Sequence, residues 1–356
     1  MIKQQTITDK YAIYNSDFMY VAPTLENESV DLSVYSPPFI GLYKYSGHPN
    51  DLSNCKSKEE FLLQYDFWVK EIARVTKSGR ISAVHITDMV STSSHWLYDF
   101  PHEVIKIHEK YGFHYSNRIT IWKEPLAVRM ETMVKSLTHK MIVQDSTTCF
   151  PANPDYLLIF KKTGVNKVPV THEFGLTHYA GAYPLLIDHL EFYGIQIPEL
   201  KAIIKNNKSY DYAATIQEYI NESFLKIKEK YEGWKDPATN KYSHIIWQRY
   251  ASSVWDDIRK GNKLQFNDSK EEDDEKHVHP LQLDVIDRVV DLYSNPCEIV
   301  LTPCSGVGSE IYSPVSMGRY GIGVELKDSY YKQSVKNLQN VDTRFEVKEK
   351  ETSLFT

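Results

Sequence analysis

The sequence predicts an α/β protein whose mainly parallel sheet is built from two stretches of chain separated by an insert. Three observations predict it. Strand-like and helix-like segments alternate over roughly the first 160 residues, and the same alternation returns after about residue 277. Between about Gly164 and Lys276, tyrosine, asparagine and lysine dominate and regular strands are hard to find. Strands alternating with helices bury both faces of a sheet, and each crossover favours parallel pairing.

Taken in order, Ser29 to Tyr35 reads as a strand stopped by Pro37-Pro38. Phe61, Tyr65, Trp68, Val69 and Ile72 recur at helical spacing, and Ser78-Gly79 is expected to close that helix. Ile81 to Ile86 is strand-like, Pro101 opens a helix that Gly112 ends, and Ile119 to Trp122 and Tyr156 to Phe160 are further strands. In the insert, Pro198 to Ile204 and Ala213 to Tyr231 look helical. Gly261-Asn262 and the acidic run Glu271 to Glu275 suggest an exposed connector. A helix from Leu281 to Tyr293 follows, then a strand at Glu298 to Leu301, a glycine turn and a helix from Ser309 to Met317. A strand at Tyr320 to Glu325 and a helix from Asp328 to Leu338 complete the series.

Composition removes several classes. The chain has 356 residues, 42% hydrophobic and 25% charged, which suits a globular protein and neither a disordered nor a fibrous one. No apolar run reaches the length of a membrane span, and the N-terminus lacks an apolar signal region, so a cytoplasmic location is expected. Four cysteines form no Cys-x-x-Cys pair, and the histidines lack metal-site spacing, so no metal is assigned. The net charge of -6 argues against a purely electrostatic nucleic-acid binder, but the acidic run alone carries five negative charges.

Two motifs carry chemistry. Leu301 to Ser309 passes from strand to helix, and Gly306 and Gly308 let backbone approach a ligand closely. Glu325 ends the next strand, where an acid accepts hydrogen bonds from a ribose diol. Ile311 occupies the third glycine position, which disfavours a dinucleotide, and no Gly-Lys-Ser/Thr follows to make a phosphate loop. The same pattern also suits a plain β–α turn with packing glycines. The second motif, Ser36-Pro37-Pro38-Phe39, fixes rigid acceptors beside a flat ring, which suits a planar ligand bearing an amine, such as a flipped base. Its commoner meaning is a strand-ending turn.

Their order, Ser-Pro-Pro-Phe early and Gly-x-Gly late, resembles the amino-methyltransferases of DNA in the β arrangement. Ile13 to Phe18, Trp68 to Gly79 and His279 to Asp284 are similar to further family segments, so the resemblance covers roughly 11–162 and 277–340. It implies a Rossmann-like S-adenosylmethionine-dependent methyltransferase sheet in permuted order, with an inserted target-recognition region. The implied organisation is a catalytic half at 1–164, the insert at 165–276, a cofactor-binding half at 277–345 and a tail at 346–356. Ser36, Pro37, Pro38 and Phe39 would be catalytic. Asp17, Pro280, Gln282, Thr302, Pro303, Ser305, Gly306, Gly308 and Glu325 would hold S-adenosylmethionine. The family often has an acid where this chain has Thr302, which puts one contact to the methionine end in doubt. Cys304 is expected to be a small buried side chain of the glycine loop, not a nucleophile.

The implied reaction transfers a methyl group to the exocyclic amine of a flipped base in double-stranded DNA. Ser36 tilts the choice toward cytosine N4 over adenine N6. A non-catalytic DNA-binding module is the further alternative. A separate restriction nuclease could be a partner, and the protein could be a monomer or a homodimer. Lys161, Lys162, Lys201, Lys205, Lys208, Arg249 and Arg259 are candidate phosphate contacts, though a solvated face is the commoner place for each. Trp247, Tyr250 and Trp255 have helix-like spacing and are expected in a core. Tyr43 to Lys58 is expected to form a mobile loop beside the site.

Overall fold

The computed structural model describes residues 2–38, 46–90, 97–125, 128, 137, 139–148, 152–171, 250–266, 280–339 and 341. The chain forms two compact units. Met1–Arg118, Lys123–Val170 and Lys263–Thr356 make the first; Ile119–Trp122 and Thr171–Asn262 make the second.

The strands are β1 (Gln4–Ile7), β2 (Tyr11–Asn15), β3 (Val30–Tyr35), β4 (Thr76–Thr87), β5 (Met89–Val90), β6 (Leu97–Tyr98), β7 (Phe113–Ile121), β8 (Asp155–Lys162), β9 (Val254–Trp255), β10 (Ile299–Thr302) and β11 (Tyr320–Glu325). The helices are α1 (Phe18–Val21), α2 (Lys58–Val75), α3 (Phe100–Lys110), α4 (His139–Gln144), α5 (Leu283–Tyr293), α6 (Ser309–Ser316) and α7 (Asp328–Gln339). The main sheet of the first unit runs β1-β2-β11-β10-β3-β4-β8-β7. From β2 to β4 all neighbours are parallel, while β1 and β8 pair antiparallel at either side. In the second unit Thr120 and Ile121 pair in parallel with Val254 and Trp255.

Local chemistry explains the elements that frame the site. Ser57 caps α2 by accepting the Glu60 amide at 3.2 Å, and its buried stripe includes Phe61, Tyr65, Val69 and Ile72. Asp99 caps α3, with Pro101 in the first turn. Ile322 and Val324 of β11 join the core that α2 and α3 complete, while Gly321 and Gly323 face Ile311 of α6. A Cβ at Gly323 would lie 2.9 Å from Ile311 Cγ1 and 3.0 Å from Ile13 Cγ1, so glycine lets α6 sit close on the sheet.

Several expectations are corrected. The helix over Phe61 to Ile72 ends at Val75, and Ser78-Gly79 lies inside β4. Gly79 sits there at φ +74°, against the backbone of Asn166, where a Cβ would collide. β7 starts six residues before Ile119, β8 is antiparallel, and the β1–β2 hairpin stands outside the expected elements. Trp255 is buried as expected, but in a strand and not on a helix. Residues 46–58 of the loop expected to be mobile hold themselves together: Asp51 is buried, and Asn54 donates to the Ser46 and His48 carbonyls at 2.9 Å each. The two insert helices, the acidic run, Trp247, Lys201, Lys205, Lys208 and Arg249 lie outside the described residues.

Candidate active site

Five parallel strands, β2, β11, β10, β3 and β4, end at one edge of the sheet, and β8 starts there because it runs the other way. In open α/β sheets this carboxyl edge is where ligands bind. The two motifs meet at it. β3 pairs with β10 in parallel, Leu32 and Ser33 opposite Val300 and Leu301, so Ser36 and Cys304 leave the sheet side by side. The Cys304 thiol donates to the Ser36 carbonyl at 3.2 Å, joining residues 268 positions apart.

The glycine loop is held from beneath. The Ser305 amide donates to the Val324 carbonyl at 2.8 Å. The Gly306 amide donates to Glu325 Oε2 at 2.8 Å, and the Lys327 amide donates to Oε1 at 2.8 Å. Gly306 adopts φ +50° with open space where a side chain would be. Gly308, at φ +95°, lies against Ser334 of α7, where a Cβ would come within 2.7 Å of its hydroxyl. One glycine therefore borders open space, and the other serves packing.

The electrostatics are unusual for so small a region. Burial pushes the Glu325 carboxyl up to about 7, pulled back by the Lys327, Gly306 and Leu326 backbone amides and further raised by Asp51. Glu310, in the first turn of α6, is pushed up to about 8 by burial and by Glu325. Burial and the Glu310, Glu325 and Asp51 carboxylates push the Cys304 thiol well above its ordinary value. A thiol so placed stays protonated, which agrees with reading Cys304 as a loop residue. The Thr302, Ser305 and Ser309 hydroxyls are buried here without a hydrogen-bond partner.

The remaining expected residues are placed as follows. Asp17 caps α1 through the Met19 amide at 2.9 Å, and its second oxygen takes the Asn50 side chain at 2.8 Å. It lies just beyond β2, on the same edge as Glu325. Pro280 and Gln282 precede α5, and the Gln282 side chain makes no cap bond, leaving it for other contacts. Pro37 is buried and Pro38 half-buried, and Phe39 lies outside the described residues. Lys162 is committed to the Thr76 carbonyl and Glu28.

Three residues at this edge, His85, Asp155 and Lys123, were not expected. His85 Nδ1 lies 3.3 Å from Ser36 Oγ, and its Nε2 lies 3.2 Å from Asp155 Oδ2, an ion-pair approach off the line of a hydrogen bond. Lys123 meets the other Asp155 oxygen at 2.5 Å. Burial alone would raise the Asp155 carboxyl, but Lys123 and His85 outweigh it and hold it at about 2. Linear spacing carries no trace of this cluster, because each member comes from a different strand end.

The DNA methylase family model, of N6/N4 type, matches residues 30–336, from the start of β3 into α7. The chain belongs to that family. The fold is that of known methyltransferases. The chain is similar to TTHA0409 of Thermus thermophilus, assigned as a DNA modification methylase and solved with S-adenosyl-L-methionine. That likeness has 16% identity and a TM-score of 0.55, over 94% of this chain and 97% of that one. It is also similar to the cytosine-N4-specific PvuII DNA methyltransferase, with 10% identity and a TM-score of 0.51, over 97% of this chain and 92% of that one. No curated protein sequence matches the chain. This DNA methylase is an enzyme that methylates amines, and among its described residues no helix is long and apolar enough to cross a membrane.

Proposed function

We propose that this DNA methylase is a site-specific enzyme that methylates cytosine N4 in a flipped base, with S-adenosylmethionine as donor. The observation that carries the reading is the meeting of Ser36-Pro37-Pro38 with the glycine loop through the Cys304–Ser36 contact. The residues of the edge fit that donor. Gly306 leaves open space, the Thr302, Ser305 and Ser309 hydroxyls lack partners, and Glu310 and Glu325 suit a ligand carrying a sulfonium and an ammonium. Bound there, the donor supplies an electrophilic methyl group. Glu325 retains a lone pair on each oxygen for the ribose diol.

The amine of a nucleobase is a weak nucleophile because its lone pair is shared with the ring. Ser36 Oγ and the Pro37 carbonyl would accept its two hydrogens and aim the lone pair at the methyl carbon, and alignment of this kind supplies much of the rate. Phe39 would stack on the base. The resemblance supports cytosine over adenine, because the family's Ser-Pro-Pro forms are more often cytosine enzymes. Residues 165–276 would read the target sequence, and Lys161 and Arg259 are the described candidates for phosphate contacts. Site-specific modification would suit a separate partner nuclease.

Methylation of unmodified genomic DNA, digested to nucleosides and weighed, tests the reading. N4-methylcytosine is expected. N6-methyladenine would overturn the base assignment and leave the site intact, whereas unmodified DNA would overturn the enzyme reading.

A further inference from the structure

We infer that His85 is a positioning residue that orients the Ser36 hydroxyl and takes up the proton released by methyl transfer, with Asp155 and Lys123 holding it in place. The inference rests on the reading of Ser36 as the acceptor of the substrate amine. Four groups form one line: Ser36 Oγ to His85 Nδ1 at 3.3 Å, His85 Nε2 to Asp155 Oδ2 at 3.2 Å, and Asp155 Oδ1 to Lys123 at 2.5 Å. They come from the end of β3, from β4, from the start of β8 and from just beyond β7. His85 is 7% exposed and Asp155 5%, so the line is screened from water.

A serine hydroxyl has one hydrogen and two lone pairs. Left to rotate, it could turn its hydrogen toward the incoming amine and set donor against donor. Asp155 is ionised and lies 3.2 Å from Nε2, so its charge favours the tautomer with the imidazole hydrogen on that nitrogen and Nδ1 as an acceptor. Ser36 then donates to Nδ1 and turns its lone pairs to the substrate. Its carbonyl already accepts the Cys304 thiol, and the hydroxyl is the side-chain acceptor that Ser36 offers the amine.

The balance closes without another reactant. The amine nitrogen forms a bond to the methyl carbon while the methyl–sulfur bond breaks and its electron pair stays on sulfur. The nitrogen, now positively charged, gives one proton to Ser36 Oγ as the serine proton passes to His85 Nδ1. The imidazolium draws closer to Asp155, tightening a contact that is loosely aligned in the free protein, and later returns the proton to water. His108, the other buried histidine among the described residues, is placed differently. Its ring stacks on Phe160 at 3.9 Å, with its nitrogens on the Val104 carbonyl and the Tyr35 hydroxyl.

The test measures methyl transfer to genomic DNA by full-length wild type, His85→Ala, Ser36→Ala and the double variant, with S-adenosylmethionine binding by calorimetry as the check on folding. His85→Ala is expected to lose about 100-fold or more in kcat, the usual size of a proton-transfer contribution, with KM for DNA and donor affinity unchanged. The double variant is expected to be no slower than Ser36→Ala alone. Added imidazole should restore part of the rate to His85→Ala and none to the double variant. Should His85→Ala fail to bind the donor, Asp155→Asn takes its place and should lower kcat with KM unchanged. Wild-type rates in His85→Ala or Asp155→Asn, or losses that multiply in the double variant, would overturn the inference while the methylase reading stands. A wild-type protein that transfers no methyl to DNA would overturn both.

Discussion

Glu310 and Glu325 share one burial problem at the residue scale. Both carboxyls are enclosed, and each titrates far above the roughly 4.3 of an unfolded chain, near 8 and near 7. Below about pH 4 both folded and unfolded states hold these protons, so nothing is lost. As pH rises the unfolded chain ionises first, and folding loses up to about 1.4 kcal/mol per pH unit for each group until the folded value is passed. Glu310→Gln is therefore expected to raise the Tm near pH 8.5 by a few degrees and to leave it unchanged near pH 4.5. Thermal unfolding at the two pH values checks this, and an equal shift at both would refute it. The same acids attract a cationic donor once ionised, so calorimetry should show S-adenosylmethionine binding more tightly at pH 8 than at pH 6. Ser36, Gly306 and Glu325 are legible in the sequence because each sits in a local pattern of strand end and turn. His85, Asp155 and Glu310 are not, because their roles arise only from which strands become neighbours.

At the scale of elements, the position of the glycine loop depends on how closely α6 rests on β11. A Cβ at residue 323 would meet Ile311, Ile13 and Ser305 at 2.9, 3.0 and 3.2 Å. Gly323→Ala should displace α6 and the loop at a cost of about 1–3 kcal/mol. Donor affinity is expected to fall about tenfold or more while circular dichroism stays that of the wild type; unchanged affinity would show that the loop is placed by other contacts. The helices α2, α3, α5, α6 and α7 can be read from apolar stripes and caps because those signals are local. The start of β4 cannot, since a Ser-Gly pair after a helix usually ends it. Here the pair forms a strained step within the strand, where Gly79 passes the backbone of Asn166. The β1–β2 hairpin escapes for another reason: β1 is exposed along most of its length, so burial writes little pattern into it.

For the whole molecule, the acid limit of stability lies in the core between α3 and the sheet, where His108 stacks on Phe160 and meets the Tyr35 hydroxyl. Burial lowers the His108 imidazole to about 3, although the Val104 carbonyl opposes the shift. The unfolded chain takes up this proton near pH 6.5 and the folded chain does not, so stability present above pH 6.5 is lost as pH falls toward 3. Urea unfolding should show a declining midpoint over that range, and a flat midpoint would contradict the burial argument. The broader lesson concerns order. Asp17 and Ser36 come from the first strands and Gly306 and Glu325 from the last, yet one carboxyl edge gathers them, because β2 and β3 flank β11 and β10 in the sheet. The central claim is that this edge is one methyl-transfer site, and Ser36→Ala tests it most directly. The account predicts unchanged S-adenosylmethionine affinity by calorimetry and a loss of at least about 100-fold in methyl transfer to DNA. Transfer at the wild-type rate in Ser36→Ala would contradict it.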